Sequence, residues 1–222
     1  MKRIMEKLRT AYRLNLIIVF FVLISTLWMM SGITGGPLSA GKLAMFRFFT
    51  VDSNILMGII ALLAALEQRK VLKGRKERVC PATYVLLLTG TVGVTLTMLV
   101  TIFFLEPTMA PQFGLFGLFA GSNFFLHLFN PVLSIVNFLR YEKTAEMGRI
   151  HTLTGIVPML LYGVYYTVTA VVHSANGVVQ AGYDWYGFLA AGVNSAFFVL
   201  PGVILFTWLI SWGLWKLNRK NA

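Results

Sequence analysis

The chain is poor in the residues on which water-soluble chemistry depends. It has one cysteine and three histidines in 222 residues. The lone thiol, Cys80, excludes an intramolecular disulfide, and no histidine or second cysteine stands at metal-ligand spacing from it. Charged residues make up only 12% of the chain, about half the soluble average of roughly 25%. Acidic side chains are scarcer still, 8 against 19 basic ones. So little charge excludes an ordinary soluble surface. The connections between apolar stretches are also short, which excludes a separate soluble catalytic or binding domain and confines any function to the helices or their ends.

What fills the chain instead is hydrocarbon, since 57% of it is hydrophobic. The apolar residues come in blocks of roughly 20 or more, the length a helix needs to cross about 30 Å of lipid at about 1.5 Å per residue. The blocks predict an all-α, polytopic fold with six spans near 14–33, 46–66, 83–105, 114–139, 152–173 and 186–214, forming one transmembrane domain over 1–222. The first block, with Lys2, Arg3, Lys7, Arg9 and Arg13 before it and Leu38-Ser39-Ala40 after it, also has the outline of a signal peptide. Its apolar run is too long for one.

Charge then orients the spans. Of the 19 basic residues, 17 fall before span one, between spans two and three, between spans four and five, or after span six. The other two are Lys42 and Arg47. This positive-inside pattern predicts both termini in the cytoplasm. It also explains the net charge of +11 without nucleic acid, because the basic residues sit in separate juxtamembrane loops with no binding motif. The expected setting is a bacterial cytoplasmic membrane, with membrane lipids as partners. Tyr183, Trp185 and Tyr186 are expected to open span six at the outer interface, and Trp212 and Trp215 to close it inside.

A weak echo links the even-numbered spans: Phe49-Thr50-Val51-Asp52-Ser53-Asn54, Phe119-Ala120-Gly121-Ser122-Asn123 and Ala191-Gly192-Val193-Asn194-Ser195. Duplicated two-helix hairpins would produce it, and so would the small-polar pairs common where membrane helices touch. Gly155, Gly163, Gly187, Gly192 and Gly202 suggest close packing, and Pro131, Pro158 and Pro201 interrupt three spans. Each proline is expected to leave a carbonyl, of His127, Thr154 or Phe197, without its usual partner.

Ionisable groups within the spans are Asp52, His127 and His173, the last near the outer interface. Such groups are costly in lipid and usually face a bundle interior or a wet cavity. Asn123, His127 and Asn130 project from one face of span four; Thr50 and Asn54 share a face of span two, with Ser53 beside them and Asp52 directed elsewhere, toward the outer headgroups. Nucleophilic catalysis needs a hydroxyl, a base and donors for a developing oxyanion. Thr50, His127, and Ser53, Asn54 or Asn123 are the candidates for those parts. The same polar residues also fit two other readings. In one, a small-solute or lipid transporter has His127 and Asp52 on its path, although intramembrane charge is sparse for that role. In the other, a scaffold uses them only to fix helix contacts.

The segment Phe46-Arg47-Phe48-Phe49-Thr50-Val51-Asp52-Ser53-Asn54-Ile55-Leu56, followed by His127-Leu128-Phe129-Asn130-Pro131, resembles the androgen-induced-gene and androgen-dependent TFPI-regulating protein family and its six-helix bacterial relatives. In outline the resemblance extends over most of the chain, including Pro158, Tyr162, Tyr165 and Asp184-Trp185-Tyr186-Gly187-Phe188. It implies an integral-membrane hydrolase with Thr50 as nucleophile, His127 as base, a lipid ester as substrate, and no metal or organic cofactor. Animal members cleave fatty acid esters of hydroxy fatty acids. If the three Asn-centred segments lie at equal depth, however, Thr50 and His127 stand roughly 12 Å apart along the bundle axis at about 1.5 Å per residue.

Overall fold

The computed structural model describes residues 2–33, 40–180 and 182–220. Among them, six helices are long and apolar enough to cross a membrane: α1 Lys2–Ser31, α2 Phe49–Leu72, α3 Pro81–Phe113, α4 Ser122–Arg140, α5 Arg149–Val172 and α6 Val193–Arg219. The protein is an all-α, multi-pass membrane protein. Among the described residues the strands form one hairpin, β1 Ser174–Ala175 with β2 Val178–Val179. Its turn, Asn176-Gly177, takes positive φ at both positions, as a tight hairpin requires. Leu38 and Ser39, part of the possible cleavage stretch, lie outside the described residues.

The core is built around α3, which packs against α2, α4, α5 and α6, while α1 lies on α2 and α4. Missing side chains permit this closeness. A Cβ on Gly90 would lie 2.8 Å from Met57 Sδ, and one on Gly93 would lie 3.3 Å from Ser53 Cβ. On the other side of the bundle, a Cβ on Gly155 would come 2.5 Å from Ser211 Oγ, the hydroxyl that ties α6 to α5 by donating to Thr152 O at 2.7 Å. Gly202, by contrast, faces open space, and Gly187 and Gly192 belong to the loop before α6. Around α3, Ile18, Met57, Leu88 and Phe138 fill the main apolar cluster.

The start of α1, the α2–α3 and α4–α5 connections and the end of α6 gather at one end, the basic one. There Arg78 pairs with Glu146 at 2.9 Å, and Thr144 N donates to Asn218 Oδ1 at 3.2 Å. At the opposite end two helices begin later than their hydropathy suggests. Gly114, Phe116 and Gly121 all have positive φ, so residues 114–121 coil as a loop and α4 starts at Ser122. Residues 182–192 likewise form a strap folded back onto the bundle before α6. Trp185 and Tyr186 therefore do not open a helix at the interface: their N–H and O–H groups find partners inside the bundle.

The prolines shape the helices locally. Pro158 follows a stretch of 3₁₀ helix, Arg149–Ile156, and the Thr154 carbonyl keeps a partner after all, the N–H of Val157. Two other prolines, Pro107 in α3 and Pro131 in α4, each come two residues after a π-turn, Thr101–Leu105 and Phe125–Phe129. Proline lacks an N–H, and its ring crowds the carbonyl four residues back, here that of Phe103 or His127. Widening the preceding turn to i→i−5 bonding moves that carbonyl aside. Glu106 N accordingly donates to Thr101 O, and Asn130 N to Phe125 O.

Candidate functional site

The two π-turns face one another and each supplies one member of a buried pair: Thr101 Oγ1 and His127 Nδ1 are 2.8 Å apart. Both residues are almost inaccessible, at 1% and 2% exposure. The other nearby threonines of α3 behave differently. Thr95 and Thr97 donate to their own helix, to Thr91 O at 2.7 Å and Gly93 O at 2.9 Å, as membrane threonines commonly do. Thr101 instead directs its hydroxyl across to α4. If the imidazole accepts at Nδ1, Thr101 is the donor. If Nδ1 carries the proton, Thr101 accepts it and Nε2 is left basic.

Thr101 also lines a cavity, together with Thr50, Thr97, Tyr162 and Tyr186 and a wall of apolar side chains from α3, α5, α6 and the strap. The cavity is narrow, with a volume of about 70 Å³. Thr50 is buried on this wall, in the first turn of α2. The Tyr186 phenol accepts a hydrogen bond from Phe49 N at 2.9 Å and also interacts with the Thr50 side chain. Tyr162 donates to Arg47 O at 2.6 Å and accepts from Trp185 Nε1 at 2.9 Å. Asp184 secures the strap through Tyr166 and through Leu189 N. The strap thus holds the start of α2, and with it Thr50, against α5.

The remaining sequence candidates are distributed differently. Asn54 faces α4, where Nδ2 donates to Leu126 O at 2.9 Å and Oδ1 accepts from Asn130 Nδ2 at 3.1 Å. A further bond runs from Nδ2 to Thr50 O at 2.8 Å. Both donors are spent on the fold, so Asn54 is a strut between helices and does not line the cavity. Ser53 shares a hydrogen bond with Thr97 at 3.1 Å and lies on a separate outer groove. Asn123 is 1% exposed, off the cavity wall, and neither of its amide atoms has a partner among the described residues.

These bonds correct the depth alignment suggested by the echo. Asn54 is level with residues 126–130, one turn deeper than Asn123, so the axial offset between Thr50 and His127 shrinks to about one helical turn, near 5 Å. His127 itself is not on the cavity wall; Thr101 stands between it and that space. Sequence reasoning passed over Thr101 because its helix contains many threonines. The usable signal was Glu106-Pro107, which echoes Asn130-Pro131 one helix later.

At the basic end, beyond α4, a second polar cluster closes around Glu142. Its Oε1 accepts from Asn15 Nδ2 at 2.7 Å and from Gln68 Nε2 at 2.5 Å, while Asn137 Nδ2 holds Asn15 Oδ1 at 2.9 Å. Burial pushes the Glu142 carboxyl up to about 7, against the opposing pull of these amide donors.

Comparison of the chain with models of known families, with curated proteins and with solved structures finds no match to any of them.

Proposed function

We propose that the protein is an integral-membrane lipid-ester hydrolase, with a cavity-lining threonine as nucleophile and His127 as base. The observation that carries this reading is the buried Thr101–His127 pair, 2.8 Å apart, set at the wall of an apolar cavity that Thr50 also lines. A hydroxyl, a base and a third group that orients the base are the parts nucleophilic catalysis uses.

In this reaction Thr50 Oγ1 adds to the ester carbonyl and its proton passes to His127 by way of the Thr101 hydroxyl, which stands between the cavity and the imidazole. Thr101 donates its own hydroxyl proton to Nδ1 as it takes up the one from Thr50, so the imidazole acts as base through Nδ1. Collapse of the tetrahedral adduct breaks the ester C–O bond, and the imidazolium protonates the departing alkoxide. Water, deprotonated by the same imidazole, then splits the acyl-threonine and restores Thr50. The one-turn offset supports this, since a helical side chain leans toward its own N-terminus, here toward the level of Thr50. The apolar wall suits the acyl chain. The distribution of basic residues supports a cytoplasmic basic end and a site in the outer half of the bilayer.

The 2.8 Å bond also favours a second assignment, in which Thr101 is itself the nucleophile. One experiment separates them: the detergent-purified protein is treated with a fluorophosphonate probe and the labelled peptide is sequenced by mass spectrometry. Label on Thr50, lost in His127→Ala, is the expected result. Label on Thr101 reverses the two threonine roles. Folded protein that takes no label on either overturns the hydrolase and leaves transport or scaffolding.

A further inference from the structure

Asp52 is a carboxylate without a counter-charge. It makes no hydrogen bond or ion pair through its side chain among the described residues. Arg47, the nearest basic residue in sequence, lies over the Phe48 ring at 4.8 Å instead. The first turn of α2 offers Asp52 the partial positive charge of a helix start, but no cation. It lines a groove between α2 and α5 with Phe49, Ser53, Leu56, Tyr162 and Tyr165, about 550 Å³ with its open side included. The rings form a continuous wall: Phe49 and Tyr162 are 5.1 Å apart, and Tyr162 and Tyr165 are 6.1 Å apart. Leu161 and Tyr165 are exposed on the apolar perimeter of α5, so the groove opens sideways toward lipid.

A carboxylate set among aromatic faces at a lipid-facing opening suits one ligand chemistry, an organic ammonium held by charge and by cation–π attraction. Phe49 and Tyr162 line both this groove and the Thr50 cavity and so form the partition between them. We propose that the groove binds the ammonium headgroup of a membrane lipid of the ethanolamine type. On the hydrolase reading of the Thr50 cavity, on which this second step rests, the groove gathers ammonium-bearing lipid esters beside the cavity that cleaves them.

The test compares lysophosphatidylethanolamine with lysophosphatidylglycerol of the same acyl chain, by native mass spectrometry of the full chain in a neutral detergent. Both lipids carry the phosphate, so a difference reports the ammonium. The expected result is a preference of about tenfold for the ethanolamine lipid. Asp52→Asn should abolish it, Tyr165→Leu should weaken it, and Thr50→Ala should leave it intact. Glycerophosphoethanolamine, the same headgroup without a chain, should not compete at equal concentration. Equal binding of the two lipids, a preference that survives in folded Asp52→Asn, or full competition by the free headgroup overturns the proposal. Because binding is also read in Thr50→Ala, which lacks the proposed nucleophile, a hydrolase that labels on Thr50 yet shows no lipid preference refutes the headgroup site alone. A lipid preference without labelling refutes the hydrolase alone.

Discussion

Thr101 and His127 meet at 2.8 Å because each helix is widened one turn ahead of a proline, α3 ahead of Pro107 and α4 ahead of Pro131. The contact is therefore a property of backbone winding as much as of side-chain choice. Ordinary α-helical bonding would change the phase of either helix by about a quarter of a turn and part the two groups.

Replacing Pro131 by Ala restores an N–H and removes the ring clash, so α4 is free to rewind. The variant should be more stable, since proline costs a helix interior about 3 kcal/mol relative to alanine. It should also be less reactive toward a fluorophosphonate, by about tenfold or more, as His127 turns away from Thr101. Thermal unfolding and labelling rate on the same sample check both halves.

Thr101→Val keeps the volume and removes the hydroxyl. A buried imidazole nitrogen is then left unpaired, at a cost of about 1–3 kcal/mol. Labelling of Thr50 should slow by about 10²-fold or more, in line with the loss of an oriented general base. Thr95→Val is the matched control, because its hydroxyl donates within its own helix and it does not line the cavity, and it should change labelling by less than about threefold.

Glu142 makes stability depend on pH. Its carboxyl titrates near 7 in the folded protein against an ordinary 4.5. Between those values the unfolded chain loses its proton first, so stability is greatest below about pH 4.5, declines as pH rises toward 7, and is level above. The full difference is on the order of 3 kcal/mol. Glu142→Gln keeps the amide contacts neutral at every pH, and its unfolding temperature should lose this slope and exceed that of the parent at pH 8.

Asn54→Leu removes the strut between α2 and α4 and leaves the Asn130 amide without its acceptor. Buried polar contacts between membrane helices are worth roughly 0.6–2 kcal/mol, and the variant should be destabilised by about that amount. Lipid or probe binding to the cavity should persist, because Asn54 does not line it. Unfolding in detergent measures the first effect and native mass spectrometry the second.

Much of this architecture is legible in the residue order. Six apolar blocks identify the spans because membrane thickness leaves little freedom in helix length. Burial of His127 and Thr50 follows from the cost of polar groups in lipid. Helix register is different. The echo aligns Asn54 with Asn123, whereas the structure pairs it with Asn130, because the positive-φ loop at 114–121 delays α4 and a π-turn shifts its phase. Neither is encoded in hydropathy. The strap was hidden for a related reason: Trp185 and Tyr186 have the composition of an interfacial belt, and only their hydrogen-bond partners at Tyr162 and Phe49 show that they turn inward. Thr101 is one of several threonines in α3, and its crossing to His127 goes with the widened turn ahead of Pro107, six residues away.

The strap also determines how a ligand's abundance is measured. Tyr186, Phe188 and Leu189 of the strap line the cavity, and on the lipid-ester reading a guest would come from the bilayer plane rather than from bulk water. What governs occupancy is then the guest's mole fraction among neighbouring lipids. Diluting the whole preparation with buffer leaves that ratio unchanged, whereas diluting the guest with inert lipid lowers it.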